Sequence, residues 1–272
     1  MLSELRQIYT ENESDSIVRL VLEHLGYPLS VALRQPDLVP NPSVNTQIHE
    51  IIAEILSGLP IQYILGQTHF CDLNIDVDKG VLIPRPETEE MVEHIKANTA
   101  DSIHRIIDLG TGSGCIALAL KKYLPDAEVW GVDISRKALR VAKENGRKNN
   151  LKINWGELDL LNPHPMVKLL PFDLVVSNPP YVMNSEREMM ARNVTEFEPK
   201  SALFVADDDP LIFYRAIASF CTRHLADRGE IWVEINEQLG SETASLFKKE
   251  GFTSVHILKD IHEKERYINA CR

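Results

Sequence analysis

Cysteine is scarce in this chain of 272 residues, and no two cysteines form a metal-binding or redox pattern. Cys71, Cys115, Cys221 and Cys271 are widely spaced, and none belongs to a Cys-x-x-Cys pair. This spacing signals neither a zinc site nor a disulfide framework. The nine histidines show no ligand spacing either. We therefore predict no metal and a reducing environment.

Long apolar runs and excess positive charge are also missing. No stretch approaches the roughly 18 apolar residues of a membrane-spanning helix. The first four residues, MLSE, have neither the basic start nor the apolar run of a secretion signal. Lys and Arg number 29 against 40 Asp and Glu, a net charge of −11. Because neutralising phosphates needs a basic face, we expect neither a nucleic-acid nor a membrane partner. The cysteine usage and the missing signal and membrane segments favour the cytoplasm, and we predict a monomer.

Residues 1–66 show helical spacing only. Apolar residues recur every three or four positions over residues 17–25 and 48–56, the first run following Asp15 and Ser16. Glycines and prolines end or separate these runs, namely Gly26, Pro28, Pro36, Pro40, Pro42, Gly58 and Pro60. The pattern predicts an all-helical domain that either packs as a cap or docks a substrate.

A hairpin is predicted for residues 67–84, joining the helical domain to the rest of the chain. Leu73, Ile75 and Val77 alternate with polar residues, residues 78–80 (DKG) suit a turn, and residues 81–83 (VLI) suit a returning strand. The following segment, PRPETE at 84–89, starts a helix with acidic residues in its first turn.

From Arg105 onward, short apolar strands alternate with helices. The strands are predicted around residues 106–107, 128–132, 174–176, 231–233, 255–258 and 267–270, with helices from 115, from 135, over 210–225 and up to 251. Such alternation is typical of a parallel sheet covered by helices on both faces. We predict an α/β, Rossmann-like domain over residues 85–272, with its ligands beyond the carboxyl ends of the strands.

A glycine-rich turn, DLGTGSG at residues 108–114, follows one of these strands. Its cofactor-binding candidates are Gly110, Thr111, Gly112, Ser113 and Gly114. Cys115 stands where a dinucleotide-binding turn would have its third glycine, which disfavours that cofactor. The carboxylate of Asp108 suits the ammonium of S-adenosylmethionine better than a pyrophosphate. A purely structural tight turn is the alternative.

Two further acidic residues follow strands in the same region. Asp133 ends the strand at 128–132, where a carboxylate can accept hydrogen bonds from both ribose hydroxyls. Asp133 could instead cap the next helix, although Ser135 suits that role better. Asp159 and Leu160 are candidates for the adenine side, with Glu157 as a competitor.

The tetrapeptide Asn178-Pro179-Pro180-Tyr181 follows the strand near 174–176 and predicts a clamp for a planar NH2 group. The Asn178 side-chain oxygen and the Pro179 carbonyl can accept hydrogen bonds from an amide and raise electron density on its nitrogen. Pro180 stiffens the turn, and Tyr181 offers a ring face that excludes water. A simple proline-rich turn is the alternative. Asn178 also borders the expected cofactor site.

Four segments together resemble the protein-glutamine N5-methyltransferases of peptide chain release factors, a family of class I S-adenosylmethionine-dependent enzymes. They are PIQYILG at 60–66, VLIPRPETE at 81–89, DLGTGSGCIALAL at 108–120 and SNPPYV at 177–182. Asn-Pro-Pro-Tyr alone is shared with nucleic-acid amino methyltransferases, whereas the first two segments separate this family from them. The resemblance covers nearly the whole chain.

The resemblance implies a helical domain that recognises a release factor and a seven-stranded methyltransferase domain. It also implies methylation of the glutamine in a Gly-Gly-Gln loop, which modulates translation termination. Arg85 and Glu87 would organise the mouth of the site or form a structural salt bridge.

Three segments depart from the family pattern: FVADDD at 204–209, Asn236 in place of a common glycine, and IHEKER at 261–266. They fit an acidic rim that faces a basic substrate protein. Two other functions stay open from the sequence: a nucleic-acid amino methyltransferase, suggested by Asn-Pro-Pro-Tyr, and a non-catalytic binding module, suggested by these departures.

Overall fold

The computed structural model describes residues 2–27, 41–98, 103–163 and 171–272. The chain divides into two compact units. The first comprises residues 1–67 together with 191–197, and the second comprises residues 68–190 and 198–272. No local sequence pattern indicates that residues 191–197 belong to the first unit, because they lie more than a hundred positions after residues 1–67.

The described part of the first unit is helical. Its helices are α1 (Leu2–Leu5), α2 (Glu11–His24), α3 (Pro42–Leu56), α4 (Ile61–Leu65) and, later in the chain, α8 (Arg192–Phe197). Helix α2 starts before the predicted Asp15 because Thr10 and Glu13 form a capping box. Pro42 occupies the first turn of α3 instead of separating helices, and Asn41 caps it. The predicted breaks at Pro28, Pro36 and Pro40 lie outside the described residues.

An apolar cluster forms the interior of this unit. Its members come from α1, α2 and α3 and are almost fully buried: Leu5, Ile17, Val21, Ile48, Ile52 and Ile55. These residues recur every three or four positions within α2 and α3, which is the apolar periodicity from which the helices were predicted.

The hairpin lies one strand earlier than predicted. It pairs β1 (Gln67–Phe70) with β2 (Leu73–Asp76), and Cys71 and Asp72 form the turn with φ of 47° and 56°. Residues 81–83 form no strand. The backbone N–H of Ile83 donates instead to the buried carboxylate of Glu198 at 3.1 Å. The apolar run at 81–83 therefore reflects burial and not strand pairing.

The second unit contains the predicted seven-stranded sheet. Its strands are β3 (Arg105–Leu109), β4 (Glu128–Asp133), β5 (Asn154–Glu157), β6 (Phe172–Ser177), β9 (Leu225–Glu234), β10 (Ser254–Lys259) and β11 (Glu265–Cys271). They lie in the order β10-β11-β9-β6-β3-β4-β5. Strand β11 is antiparallel to both neighbours, and the remaining pairs are parallel. A short pair, β7 (Val182–Met183) with β8 (Phe204–Val205), stands apart.

Helices pack against the strands of this sheet. They are α5 (Pro86–Asn98), α6 (Cys115–Tyr123), α7 (Arg136–Lys148), α9 (Ile212–His224) and α10 (Gly240–Lys249). The main core combines buried strand residues with aromatic residues of α9 and α10, among them Ile107, Val175, Ile231, Ile268, Tyr214, Phe220 and Phe247. The alternation of strand and helix that the sequence predicted is confirmed.

The register of the parallel strands brings three loops to one edge of the sheet. Leu109 of β3 pairs with Val132 of β4 on one side and with Ser177 of β6 on the other. The segments that follow these three strands are therefore neighbours, as expected for ligand sites in open α/β sheets.

Candidate active site

A cavity of about 300 Å³ opens at this edge of the sheet. Apart from Gly114 and Tyr181, every predicted site residue lines it: Gly110, Thr111, Gly112, Ser113, Asp133, Asp159, Leu160, Asn178, Pro179 and Pro180. The cavity therefore brings the glycine-rich turn and the Asn-Pro-Pro segment together within the second unit. Their contact with a ligand stays a prediction.

The glycine-rich turn is held by hydrogen bonds to the neighbouring strand. The N–H groups of Gly110 and Thr111 both donate to the carbonyl of Val132 at 2.9 Å. Gly110, Gly112 and Gly114 have φ of 77°, 55° and 84°, a region that side chains with a Cβ rarely adopt. Gly114 is the N-cap residue of α6, and no side chain caps this helix.

Asp108 supports this turn from below and does not line the cavity. Its side chain is fully buried, and the Thr111 hydroxyl donates to its Oδ2 at 2.5 Å. Burial raises the pKa of Asp108 to about 7. Asp108 is absent from the cavity lining, and its predicted contact with a ligand ammonium stays a prediction.

Asp133 lies at the end of β4 and bridges two backbone segments. Its Oδ2 accepts from the N–H of Gly112 at 2.9 Å, and its Oδ1 accepts from the N–H of Ser135 at 2.8 Å. Each carboxylate oxygen keeps a second acceptor position for a ligand hydroxyl. Burial raises the pKa of Asp133 above its ordinary value. Ser135 caps α7 by accepting from the N–H of Ala138, as the sequence predicted.

The wall beyond Asp133 is largely apolar. Ile134, whose side chain is 60% exposed, lines it together with Leu158 and Leu160. Asp159 is turned toward its own loop, where Oδ1 accepts from the N–H groups of Leu161 and Asn162. The sequence-based selection missed Ile134 and Leu158, although the first directly follows Asp133 and the second directly precedes Asp159.

The Asn-Pro-Pro-Tyr segment is anchored at both ends by side chains from other elements. Before it, the hydroxyl of Ser177 donates to the carbonyl of Leu109 at 2.6 Å, which ties the ends of β6 and β3 together. Within it, Nδ2 of Asn178 donates to Oγ1 of Thr88 at 2.9 Å. The Tyr181 ring packs against the core, and its hydroxyl donates to Glu234 at 2.8 Å. Tyr181 thus fixes the end of the Asn-Pro-Pro-Tyr segment against the core. Its stacking on a substrate amide stays a prediction.

Arg85 and Glu198 form an ion pair at the cavity wall. The guanidinium of Arg85 donates to Oε1 of Glu198 at 2.6 Å, and Glu198 also fixes the backbone at Ile83. Arg85 thus forms a structural ion pair and also lines the cavity, and its role in organising the mouth of the site stays a prediction. Glu87 does not line the cavity, and its carbonyl accepts from the Tyr267 hydroxyl at 2.8 Å.

Two of the three departures from the family pattern form hydrogen bonds with residues 181–186. Nδ2 of Asn236 donates to Glu186 at 2.9 Å and to the carbonyl of Tyr181 at 3.3 Å. Oδ1 of Asp207 accepts from the N–H and the hydroxyl of Ser185, both at 2.9 Å. These residues therefore connect the segment after the Asn-Pro-Pro-Tyr clamp to neighbouring loops.

The described residues contain neither a metal-binding cluster nor a membrane-spanning helix. No group of three or more His, Cys, Asp and Glu side chains within those residues is placed to hold a metal ion. None of the described helices is long and apolar enough to cross a membrane.

Comparison with known proteins identifies the family. Residues 85–207 match the family model described as "Methyltransferase small domain". The chain is 40% identical over 275 aligned positions to a release factor glutamine methyltransferase of Flavobacterium psychrophilum, covering 97% of this chain and 94% of that protein. It is 37% identical to a protein of the same name from Bacteroides thetaiotaomicron, covering 98% of this chain and 96% of the relative.

Solved structures agree on the fold. A 16S rRNA N2 methyltransferase of T. thermophilus, in complex with AdoMet and guanosine, matches with a TM-score of 0.57 at 17% identity, over 76% of this chain and 49% of that one. A methyltransferase from Pyrococcus furiosus matches with a TM-score of 0.53 at 16% identity, over 83% and 97%. At these identities the likeness shows the fold alone. On the strength of the full-length relatives, the chain belongs to the release factor glutamine methyltransferase family.

Proposed function

We propose that this protein transfers a methyl group from S-adenosylmethionine to the side-chain amide nitrogen (N5) of the glutamine in the Gly-Gly-Gln motif of class I peptide chain release factors. The observation that carries the proposal is the position of Asn178. Its amide lines the same cavity as the glycine-rich turn and is anchored through Nδ2, which leaves Oδ1 as an acceptor. Full-length relatives that carry this activity in their names support the choice of substrate.

The residues of the cavity fit S-adenosylmethionine. The turn at 110–114 brings backbone close to a ligand without side-chain interference, and Asp133 offers two acceptor positions for ribose hydroxyls. Ile134, Leu158 and Leu160 offer an apolar wall for the adenine. When bound, S-adenosylmethionine supplies a methyl group that its sulfonium has already activated.

The task of the clamp is to orient a weak nucleophile. An amide nitrogen is a poor nucleophile because its lone pair is delocalised into the carbonyl. We propose that Oδ1 of Asn178 and the carbonyl of Pro179 accept hydrogen bonds from its N–H groups, which returns electron density to the nitrogen. Pro180 restricts the backbone, so these acceptors are fixed in place. Positioning of this kind can supply roughly 7–11 kcal/mol of a barrier.

The proposed partner is a release factor, and the proposed recognition domain is the helical segment 1–66. Net charge supports this pairing, because a chain with net charge −11 attracts a basic, RNA-binding protein. Since release factors act at the ribosome, the proposal places the enzyme in the cytoplasm, where it would act as a monomer.

A labelling experiment tests the proposal. The protein is incubated with a purified release factor and methyl-labelled S-adenosylmethionine, and the Gly-Gly-Gln peptide is then isolated. Label on that glutamine is the expected result, and a release factor with glutamate at this position should stay unlabelled. Label in ribosomal RNA or DNA instead of protein would favour a nucleic-acid amino methyltransferase and reject our proposal.

Asp133→Ala is expected to weaken cofactor binding selectively. Hydrogen bonds to a charged group contribute about 1.5–3 kcal/mol, which corresponds to a rise in the Kd of S-adenosylmethionine of about 10- to 100-fold. The kcat at saturating cofactor should change little, because Asp133 lies away from the clamp. Calorimetry and saturation kinetics measure the two effects.

The matched control is Glu157→Ala. Glu157 pairs in register with Asp133 at the end of the next strand, but its carboxylate faces Arg136 in an exposed ion pair. Its removal should leave the Kd unchanged. Equal losses of affinity in both variants would contradict the ribose assignment.

A further inference from the structure

Four side chains form a continuous hydrogen-bonded chain that starts at the cavity wall, which Asn178 and Thr88 line, and continues into the interior. Nδ2 of Asn178 donates to Thr88 at 2.9 Å, and the Thr88 hydroxyl donates to Oε2 of Glu234 at 2.7 Å. The Tyr181 hydroxyl donates to Oε1 of the same carboxylate at 2.8 Å. Thr88 and Glu234 are only 2% and 1% exposed, so water does not compete for these bonds.

When the Glu234 carboxylate is ionised, it determines which group donates and which accepts in each of these hydrogen bonds. An ionised Glu234 can only accept, so the single proton of the Thr88 hydroxyl is committed to it. The Thr88 oxygen is then left as an acceptor toward Asn178. Asn178 must therefore turn its NH2 group to Thr88, and its Oδ1 becomes the end that is free to meet a ligand.

We infer that Glu234 is a positioning residue that, through Thr88, sets which end of the Asn178 amide faces the cavity and so selects a substrate NH2 group over a carboxylate. The inference rests on the proposed function for the identity of the substrate. An outward Oδ1 attracts the N–H groups of glutamine and repels the oxygens of glutamate. The same residue type in the opposite orientation would have the reverse preference.

Protonation of Glu234 would remove this control. A protonated carboxyl can donate to Thr88, which could then donate to Oδ1 of Asn178 and favour the opposite orientation. The active orientation therefore requires the ionised form. Burial raises the pKa of Glu234, whereas the hydrogen bonds from Thr88 and Tyr181 and the charge of Arg266 lower it.

Other charged and titratable groups around Glu234 also affect its pKa. Arg266 of β11 favours the ionised carboxylate, and Glu87 of α5 opposes it. Tyr214 of α9 and Tyr267 of β11 interact electrostatically with Glu234 but bond elsewhere: Tyr214 accepts from the N–H of Asn236, and Tyr267 donates to the carbonyl of Glu87. Because the net pKa is raised, activity should be lost as pH falls through a value above that of an ordinary glutamate.

The test compares Glu234→Gln with the wild type. The amide of the variant can donate or accept toward Thr88, so the direction of the chain is no longer fixed. We expect kcat to fall about 10-fold, as for the loss of one hydrogen bond to a charged group. We also expect a release factor carrying Gly-Gly-Glu to compete about 10-fold better, relative to Gly-Gly-Gln, than it does with the wild type. The part of the acid limb of the wild-type pH profile that belongs to Glu234 should disappear, whereas the contributions of Asp108 and Asp133, whose pKa values are also raised, should remain.

A second pair of variants separates positioning from folding. Thr88→Val removes the relay with little change of volume and should lower kcat to a similar extent, whereas Thr88→Ser retains the hydroxyl and should restore activity. Thr243→Val is the matched control: Thr243 is also fully buried, but its hydroxyl donates within α10 to the carbonyl of Leu239. That control should keep the wild-type kcat, and thermal melting should show that each variant is folded.

A spectroscopic measurement tests the relay without any substrate. With asparagine labelled by 15N, the side-chain NH2 signals of Asn178 are identified by their absence in Asn178→Asp. They should shift as Glu234 titrates in the wild type and stay constant in Glu234→Gln. Signals insensitive to pH in the wild type, or an unchanged glutamine-to-glutamate preference in Glu234→Gln, would overturn the inference. Failure of the wild type to label a release factor would instead reject the proposed function.

Discussion

Replacing Asn178 by alanine is expected to lower kcat about 100-fold or more, a loss on the order of 3 kcal/mol in the chemical step. Asn178 supplies the preorganised acceptor for the substrate amide, and its Nδ2 is already engaged by Thr88 at 2.9 Å. Truncation removes the acceptor and leaves Thr88 without its donor. The Kd of S-adenosylmethionine should change little, because the glycine-rich turn and Asp133 are untouched.

Single-turnover kinetics with a release factor, together with calorimetric titration of the cofactor, separate the two effects. Asn154→Ala serves as the matched control, since Asn154 lies at the start of β5 and its side chain contacts Glu128 away from the cavity. This control should retain the wild-type kcat. A clamp variant as fast as the wild type would refute the role assigned to Asn178.

Gly114→Ala is expected to destabilise the protein by about 2–5 kcal/mol. Gly114 has φ of +84°, where a residue with a Cβ is strained by about 1–2 kcal/mol. An added Cβ would also lie 2.8 Å from the Trp155 ring and 3.1 Å from Cβ of Ala142. Such overpacking forces neighbouring atoms to shift and typically costs a further 1–3 kcal/mol of stability. The glycine-rich turn would shift, so cofactor binding should weaken as well.

Urea unfolding in the absence of cofactor measures this loss, and Gly251→Ala provides its control. Gly251 has a similar φ of +94°, but an added Cβ would meet no atom within 4 Å. The control isolates the backbone strain, and the difference between the two variants reports the contact with Trp155. Equal losses of unfolding free energy would show that the close packing around Gly114 does not matter.

The architecture of the second unit was predictable because its strands are buried on both faces. Short apolar runs such as Leu174-Val175-Val176, alternating with helical segments along the chain, are typical of a covered parallel sheet. The glycine-rich turn and the Asn-Pro-Pro segment could then be assigned to the same edge, since parallel strands end together. Both motifs line the cavity as a result.

The residues that hold Asn178 and Tyr181 in place by hydrogen bonds could not be predicted from local sequence patterns. Thr88 is separated from Asn178 by 90 residues and from Glu234 by 146, and hydrogen bonds over such distances leave no periodic signal in a sequence. The hairpin was misplaced for a related reason, because Glu198 substitutes for a strand partner at Ile83. Tyr181 was expected at the cavity wall, but the motif alone could not reveal the buried carboxylate that holds its hydroxyl.

The pairing of Leu109 with Ser177 has a consequence for how the two reactants are spaced. The donor and acceptor halves of the site begin at the same level of two adjacent strands, which in any sheet lie about 4.8 Å apart. Their separation is thus a property of the backbone ladder, reinforced by the bond from the Ser177 hydroxyl to the Leu109 carbonyl. Side-chain substitutions can weaken the binding of either reactant, but they do not change the distance between the two strands that carry the binding sites.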